Sequence, residues 1–174
     1  KMISLKGEKI TLRSVKRSDL EFFKNWRNSP EIWNNNTQFI LLNMEHQNSW
    51  FKTLNDPEAK KKMFAIINKT KTPIGICGLI QIDSENKSAK VAIIIGRTEL
   101  HSHGIGTESL DLLLTYGFER LKIHRIEAEV LEFNKKSKKF FQKSGFKLDA
   151  TFRDYMFRNG KYWKLFSLSK LSHD

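Results

Sequence analysis

The chain has 174 residues, of which 39% are hydrophobic and 29% charged, and its formal net charge is +12. This length and this balance predict a single globular domain over residues 1–174. The apolar runs are too short to cross a bilayer, and the N-terminus lacks the pattern of a signal peptide. The single cysteine, Cys77, excludes an internal disulfide and is typical of a reducing compartment, so we expect a cytoplasmic protein.

The positive charge is concentrated in lysine runs at residues 60–62 and 135–139. Such runs are compatible with a nucleic-acid surface, with attraction for an anionic coenzyme, or with an ordinary solvated surface. The sequence contains none of the usual RNA-recognition motifs, so we favour the solvated surface for most lysines and expect no nucleic-acid partner. The run at 135–139 is the exception, because it lies beside a predicted ligand site.

The first half of the chain predicts a strand at residues 8–14 and then a helix that begins at a capping box, Ser18 to Glu21, and ends near Asn28. Asn43 predicts the start of a second helix that ends near Leu54. Three strands follow, at about 62–68, 74–82 and 88–95, because apolar residues recur there with the period of a strand.

The second half predicts a long helix at 108–121, a strand at 124–131 and a short helix after Asn134. Two last strands, near 147–157 and 162–168, are joined by a turn that contains Asn159 and Gly160, a strong hairpin signal. The strand–helix–strand order around 91–130 permits parallel pairing, whereas hairpins are antiparallel. The sequence therefore predicts an α/β (α+β) fold with a mixed central sheet of about six to seven strands and flanking helices.

The most informative segment is the turn that joins the strand ending at Ile95 to the following helix, and it contains Gly104-Ile105-Gly106. Glycines let the backbone approach an anion closely, and the N–H groups of the first helical turn point toward it. The segment matches neither the P-loop pattern nor the dinucleotide fingerprint. Taken alone, it predicts either a phosphate site or a plain helix start.

A second segment favours the phosphate site over the plain helix start. Asn134-Lys135-Lys136-Ser137 begins a predicted helix, and Gly145-Phe146 follows it. Together with His101-Ser102-His103-Gly104-Ile105-Gly106, it resembles the two signature motifs of the GCN5-related N-acetyltransferases. Segments at both ends, Trp26-Arg27-Asn28-Ser29-Pro30-Glu31 and Asn159-Gly160-Lys161-Tyr162 among them, are similar to the branch that acetylates ribosomal proteins.

The resemblance implies acetyl-CoA as cosubstrate and no metal. It implies that the backbone of Ile93, Ile94 and Ile95 pairs with the pantetheine arm and donates an N–H to the thioester carbonyl. The residues implied for the coenzyme phosphates are His101, His103, Gly104, Ile105, Gly106 and Thr107. Asn134 is implied as a pantetheine contact, and Ser137 as the acid that protonates the leaving thiolate; as alternatives, each is a helix cap.

The sequence departs from the family pattern at three positions. Phe141 stands where many members carry a tyrosine acid, Lys90 where relatives often carry a glutamate, and His101 where an arginine or glutamine is usual. The candidates for a general base are Glu127, Glu129 and His46, each of which has a structural alternative. The histidines do not show metal-site spacing, and one cysteine cannot form a zinc cluster.

The lack of a clear general base affects which acceptor amine we expect. An α-amine has a pKa of about 7.7–8.0 and a lysine side chain about 10.4, so far more of the α-amine is neutral at pH 7. We therefore expect a protein N-terminus or an amino sugar as acceptor, rather than a polyamine. A non-catalytic acetyl-CoA-binding module and a basic RNA- or ribosome-binding domain are the alternatives, and a homodimer is left open.

Overall fold

The computed structural model describes residues 2–33, 43–96 and 104–174. It contains one sheet of eight strands. The strands are β1 (Ser4–Lys6), β2 (Ile10–Ser14), β3 (Lys62–Asn68), β4 (Pro73–Asp83), β5 (Ser88–Ile95), β6 (Arg125–Leu131), β7 (Lys147–Arg158) and β8 (Lys161–Leu171). They lie in the order β1-β2-β3-β4-β5-β6-β8-β7. The fold is the mixed α/β class that the sequence predicts, with more strands than expected.

The helices within the described ranges are α1 (Leu20–Asn28), α2 (Pro30–Trp33), α3 (Met44–Thr53), α4 (Ile105–Thr115) and α5 (Lys135–Lys143). A π-helical turn, Tyr116–Arg120, extends α4. Asn43 caps α3 as predicted, since its side chain accepts a hydrogen bond from the N–H of His46 at 2.9 Å. Asn159 and Gly160 both have positive φ, 55° and 73°, as the predicted hairpin turn requires.

The central feature of the sheet, over the residues that the structure describes, is its one parallel pair of strands. All neighbouring strands are antiparallel except β5 and β6, which run parallel over Ser88–Lys90 and Arg125–Glu127. After this short overlap, the described residues of the two strands are no longer paired with each other, although β5 continues to Ile95 and β6 to Leu131. The two strands therefore separate in the middle of the sheet.

The two faces of the sheet are covered by different helices. One face carries the larger apolar cluster, in which Ile126 and Val130 of β6 pack with Leu110 and Leu113 of α4. The other face carries a second cluster, in which Leu20 and Phe23 of α1 pack with residues of β3 and β4. Side chains alternate along each strand. In β5 and in β6, the residues that alternate with the buried ones therefore point to the second face.

The N-terminal segment matches one prediction and departs from another. The strand expected at 8–14 is present as β2, Ile10–Ser14, and before it Gly7 donates a hydrogen bond to the carbonyl of Ile10 at 2.8 Å where the chain turns from β1. The predicted capping box at Ser18 does not form. Instead Asp19 is the cap residue of α1, and its buried carboxylate pairs with Arg13 at 2.8 and 2.9 Å. The same carboxylate accepts a hydrogen bond from the N–H of Lys16 at 2.7 Å, so Asp19 takes the capping role that was predicted for Ser18.

Candidate active site

The gap between β5 and β6 contains the three isoleucines that the sequence assigns to the coenzyme. Ile93 and Ile95 pack on the larger apolar cluster, whereas Ile94 packs on the second one. On one side, all three residues remain paired with β4. The other side of Ile93 and Ile94 faces the gap, so a ligand in an extended conformation can add to this edge of β5 as a further strand would.

The end of β5 is held by a close contact with α1. A Cβ atom built on Gly96 would overlap the indole ring of Trp26, so this glycine allows the ring to lie directly on the backbone. The N–H of Gly96 donates a hydrogen bond to the carbonyl of Ile74 at 2.8 Å. The sequence analysis did not identify this contact, although Gly96 directly follows an apolar strand.

The helix that follows begins at Ile105, directly after a left-handed glycine and three residues before the predicted start at Glu108. Gly104 is the cap residue of α4 and has a φ of 78°, a conformation that side chains other than asparagine and aspartate rarely adopt. Ile105 anchors the first turn in the core, and Thr107 is exposed. The N–H groups of this first turn have no partner within the helix, which makes the turn suitable for an anion.

Gly106 brings α4 close to α5. A Cβ atom on Gly106 would lie 3.3 Å from Cε1 of Phe140, so glycine allows the two helices to approach. Phe140 packs in turn against Phe141, with ring centroids 5.1 Å apart. Phe141 is buried in the core, and its ring carries no proton donor. The first turn of α4 therefore lies against the second half of α5.

The two site residues predicted on α5 contact each other. The side-chain oxygen of Asn134 accepts a hydrogen bond from the backbone N–H of Ser137 at 3.3 Å, which makes Asn134 the cap residue of α5. The hydroxyl of Ser137 makes no hydrogen bond to another described residue, and its side chain is half-buried. The cap role of Asn134 is confirmed, while the two chemical roles are not tested by the geometry.

The second face of the sheet is charged where β5 and β6 separate. Nζ of Lys90 lies 3.2 Å from Oε1 of Glu129. Next to this pair, Arg125 contacts Glu127 at 3.0 Å and Asp149 at 2.7 Å. Both glutamates proposed as bases are therefore engaged in ion pairs with a cation on this face of the sheet.

Two further side chains have structural surroundings that bear on catalysis. Nδ1 of His46 lies 3.3 Å from the N–H of Asn43 and completes a reciprocal cap of α3. The thiol of Cys77 is fully buried, and burial raises its pKa, so the nucleophilic thiolate is disfavoured. Neither residue is arranged for a chemical step.

Two of the predicted site residues, His101 and His103, lie outside the residues that the structure describes. Within the described ranges, no group of three or more His, Cys, Asp or Glu side chains is arranged to hold a metal ion. None of the described helices has the length and apolar character required to traverse a membrane.

The structure adds two residues that sequence reasoning missed. The carboxylate of Glu108, in the first turn of α4, accepts hydrogen bonds from the backbone of the turn between β1 and β2. Lys9, in that turn, lies beside Gly104. No local pattern reveals these contacts, because the partners are separated by about a hundred positions in the chain.

Comparison with known proteins gives the family. Residues 9–147 match the acetyltransferase (GNAT) domain. The chain is 30% identical to the uncharacterized N-acetyltransferase p20 of Bacillus licheniformis, over 99% of this chain and 98% of that protein. It is 28% identical to the spermidine N(1)-acetyltransferase of Vibrio cholerae, over 90% of this chain and 89% of that enzyme.

A solved structure shows the same fold. The crystal structure of spermidine N-acetyltransferase from Vibrio cholerae in complex with CoA and spermine superimposes with a TM-score of 0.87. It covers 96% of this chain and 98% of that chain, at 24% identity. The sequence match and the shared architecture agree with the motifs at Gly104 and Asn134. The chain belongs to the GNAT family of acetyltransferases and is an N-acetyltransferase.

Proposed function

We propose that this protein transfers the acetyl group of acetyl-CoA to a primary amine of low pKa, on a protein N-terminus or an amino sugar. The observation that carries this choice of acceptor is the ion pair between Lys90 and Glu129 at the gap between β5 and β6. The family uses acetyl-CoA as cosubstrate, so the acyl donor follows from membership. The similarity of the chain ends to the ribosomal-protein branch also favours an N-terminal α-amine.

The coenzyme is proposed to lie in the gap between β5 and β6. The backbone of Ile93, Ile94 and Ile95 would bind the pantetheine arm, and one of their N–H groups would stabilise the oxyanion on the thioester carbonyl. The first turn of α4, from Gly104 through Ile105 and Gly106 to Thr107, would bind the pyrophosphate. His101 and His103 are proposed to assist there.

Transfer is proposed to occur by direct attack. The amine nitrogen forms a bond to the carbonyl carbon, the carbon–sulfur bond breaks, and the amine loses a proton to water. The leaving thiolate takes a proton from the Ser137 hydroxyl as that hydroxyl takes one from water, while Asn134 holds the pantetheine. The buried thiol of Cys77 supports a route without an acyl-enzyme, because no other cysteine is present. Positioning alone can supply about 7–11 kcal/mol of the barrier reduction in such reactions.

The acceptor is proposed to approach from the second face, because α4 and α5 cover the other one. The carboxylates of Glu127 and Glu129 are both paired with cations on that face. A polyamine binds best where carboxylates are available to its several ammonium groups, and Lys90 adds a repulsive charge. A neutral amine needs neither a strong base nor an acidic pocket, which favours an acceptor of pKa about 8.

Spermidine is the second candidate acceptor, because a relative at 28% identity is a spermidine N(1)-acetyltransferase. A competition assay separates the two. Acetyl-CoA is supplied with an equimolar mixture of an N-terminal peptide, an amino-sugar nucleotide, spermidine and free lysine, and each acetylated product is quantified by mass spectrometry. We expect the peptide or the amino sugar to lead. A kcat/KM for spermidine more than about tenfold above both would overturn the proposed acceptor class.

A further inference from the structure

The two outer strands of the sheet differ in length. β1, at one edge, has 3 residues, whereas β7, at the other edge, has 12. No other strand in the described part of the chain pairs with the outer side of β7, and most of its residues are exposed. A long exposed edge strand is a surface on which another chain can associate, and proteins usually shorten or cover such an edge.

Large apolar side chains are exposed mainly on the hairpin formed by β7 and β8. Of the seven large hydrophobic side chains exposed among the described residues, five lie on this hairpin. They are exposed by 46% to 63%, and they are Leu148, Phe152, Tyr155, Phe157 and Tyr162. An aromatic side chain can bury roughly 150–250 Å², so five half-exposed side chains offer about 500 Å² of mostly apolar surface.

The exposed aromatic rings are arranged in two pairs. Phe157 and Tyr162 lie opposite each other in the hairpin, with ring centroids 5.0 Å apart. Phe152 and Tyr155 lie 6.3 Å apart, at a bulge where the register with β8 shifts between Phe152 and Met156. Rings that already pack on each other lose little freedom when a partner binds, so the two pairs form a preorganised contact surface.

The charges in the middle of β7 fit a second copy of the chain. Arg153 and Asp154 are adjacent and exposed, and neither forms a salt bridge with another residue in the described ranges. About a twofold axis, the same surface meets itself, so residues near the axis meet their own neighbours on the other copy. Two antiparallel β7 strands centred here would place Arg153 of each copy near Asp154 of the other.

We propose that the hairpin of β7 and β8 is the interface of a homodimer, with the twofold axis near Arg153 and Asp154. A standard interface buries about 800 Å² per partner, of which a little over half is apolar. The exposed apolar side chains of the hairpin supply an area of that size. Because the bulge interrupts the edge of β7, the contact is made by side chains rather than by a continuous backbone ladder.

The first test measures self-association by sedimentation velocity over a series of protein concentrations. The unaltered protein is expected to dimerise, and Phe157→Ser combined with Tyr162→Ser is expected to raise the dimer Kd at least about tenfold. Phe22→Ser is the matched control, because Phe22 is also an exposed aromatic residue but lies on α1. A monomer at every concentration overturns the inference, as does a dimer that the hairpin substitutions leave unchanged.

The second test uses charge reversal to locate the axis. Arg153→Asp and Asp154→Arg are each expected to weaken the homodimer, because like charges then meet across the axis. An equimolar mixture of the two variants should form a heterodimer, since opposite charges meet at both contacts, and the double reversal should restore the homodimer. Rescue by the second variant separates this effect from damage to the fold. No association in the mixture would overturn the inferred arrangement.

Discussion

Nζ of Lys90 lies 3.2 Å from Oε1 of Glu129, and the pair joins β5 to β6 where the two strands begin to separate. Both side chains are half-exposed, at 26% and 35% of their full accessible area, so the pair contributes little to stability. Its consequence is electrostatic: a carboxylate beside the proposed acceptor path is neutralised. We therefore expect the pair to affect the choice of acceptor rather than the fold.

The first prediction follows from this pair. Lys90→Gln removes the cation and leaves Glu129 available to an ammonium group, so kcat/KM for spermidine relative to an N-terminal peptide should rise about fivefold, or ~1 kcal/mol. Lys87→Gln is the control, because it removes the same charge from the exposed turn before β5. If the ratio does not change in Lys90→Gln, the pair has no part in acceptor selection.

Asn134 allows its two proposed roles to be separated. Asn134→Asp keeps an oxygen that can accept from the Ser137 N–H, so the cap of α5 and the Tm should be retained. It loses the amide donor proposed to bind pantetheine, and KM for acetyl-CoA should rise about tenfold. Asn134→Ala, which loses both functions, should also destabilise the protein by about 1 kcal/mol. A normal KM in Asn134→Asp would leave Asn134 as a cap alone.

Ser137 is expected to affect turnover more than binding. Ser137→Ala keeps the backbone N–H that Asn134 caps, so the helix should be unaffected. If the hydroxyl protonates the thiolate, kcat should fall about 100-fold with little change in KM, as is typical for loss of a general acid. The assay requires that chemistry limits the rate, which a pre-steady-state burst measurement establishes. An unchanged kcat under that condition would rule out the proposed acid.

Gly104 is predicted to be required for close approach of the phosphate and not only for its backbone conformation. Gly104→Asn can adopt the positive φ of 78° and is a favourable helix cap, so the Tm should change little. Its side chain would still obstruct the anion, and binding of CoA should weaken at least about tenfold. Gly104→Val should lower the Tm and also weaken binding of CoA, because a β-branched residue is strained at positive φ by about 1–2 kcal/mol. Normal CoA binding by Gly104→Asn would mean that the loop is misassigned.

The sequence predicted those parts of the fold that depend on local pattern. β3 and β5 have the predicted bounds, because each is an apolar run with a clear turn on at least one side. The turn at Gly104 and the caps at Asn43 and Asn134 were predicted for the same reason, since a cap depends on a few neighbouring residues. β1 was missed, because three residues are too few to show an alternating pattern.

Most parts that were not predicted depend on contacts between distant segments. The capping box at Ser18 is an exception, because the nearby Asp19 carboxylate pairs with Arg13 and accepts a hydrogen bond from the N–H of Lys16 instead. β5 and β6 separate because their parallel pairing ends after Lys90 and Glu127. The residue composition of the two strands does not reveal where this pairing ends. The contact of Glu108 with the turn at Lys9 joins residues that only the folded sheet brings together.

Hydrogen–deuterium exchange with and without CoA tests directly whether the coenzyme binds the backbone N–H groups proposed for it. We predict that CoA slows exchange in the β5 segment containing Ile93 and Ile95 and in the first turn of α4 around Gly106. Exchange in β7 serves as the internal reference, since it lies at the far edge of the sheet. Saturating CoA that protects neither segment, or protects a different part of the chain, would contradict the proposed site.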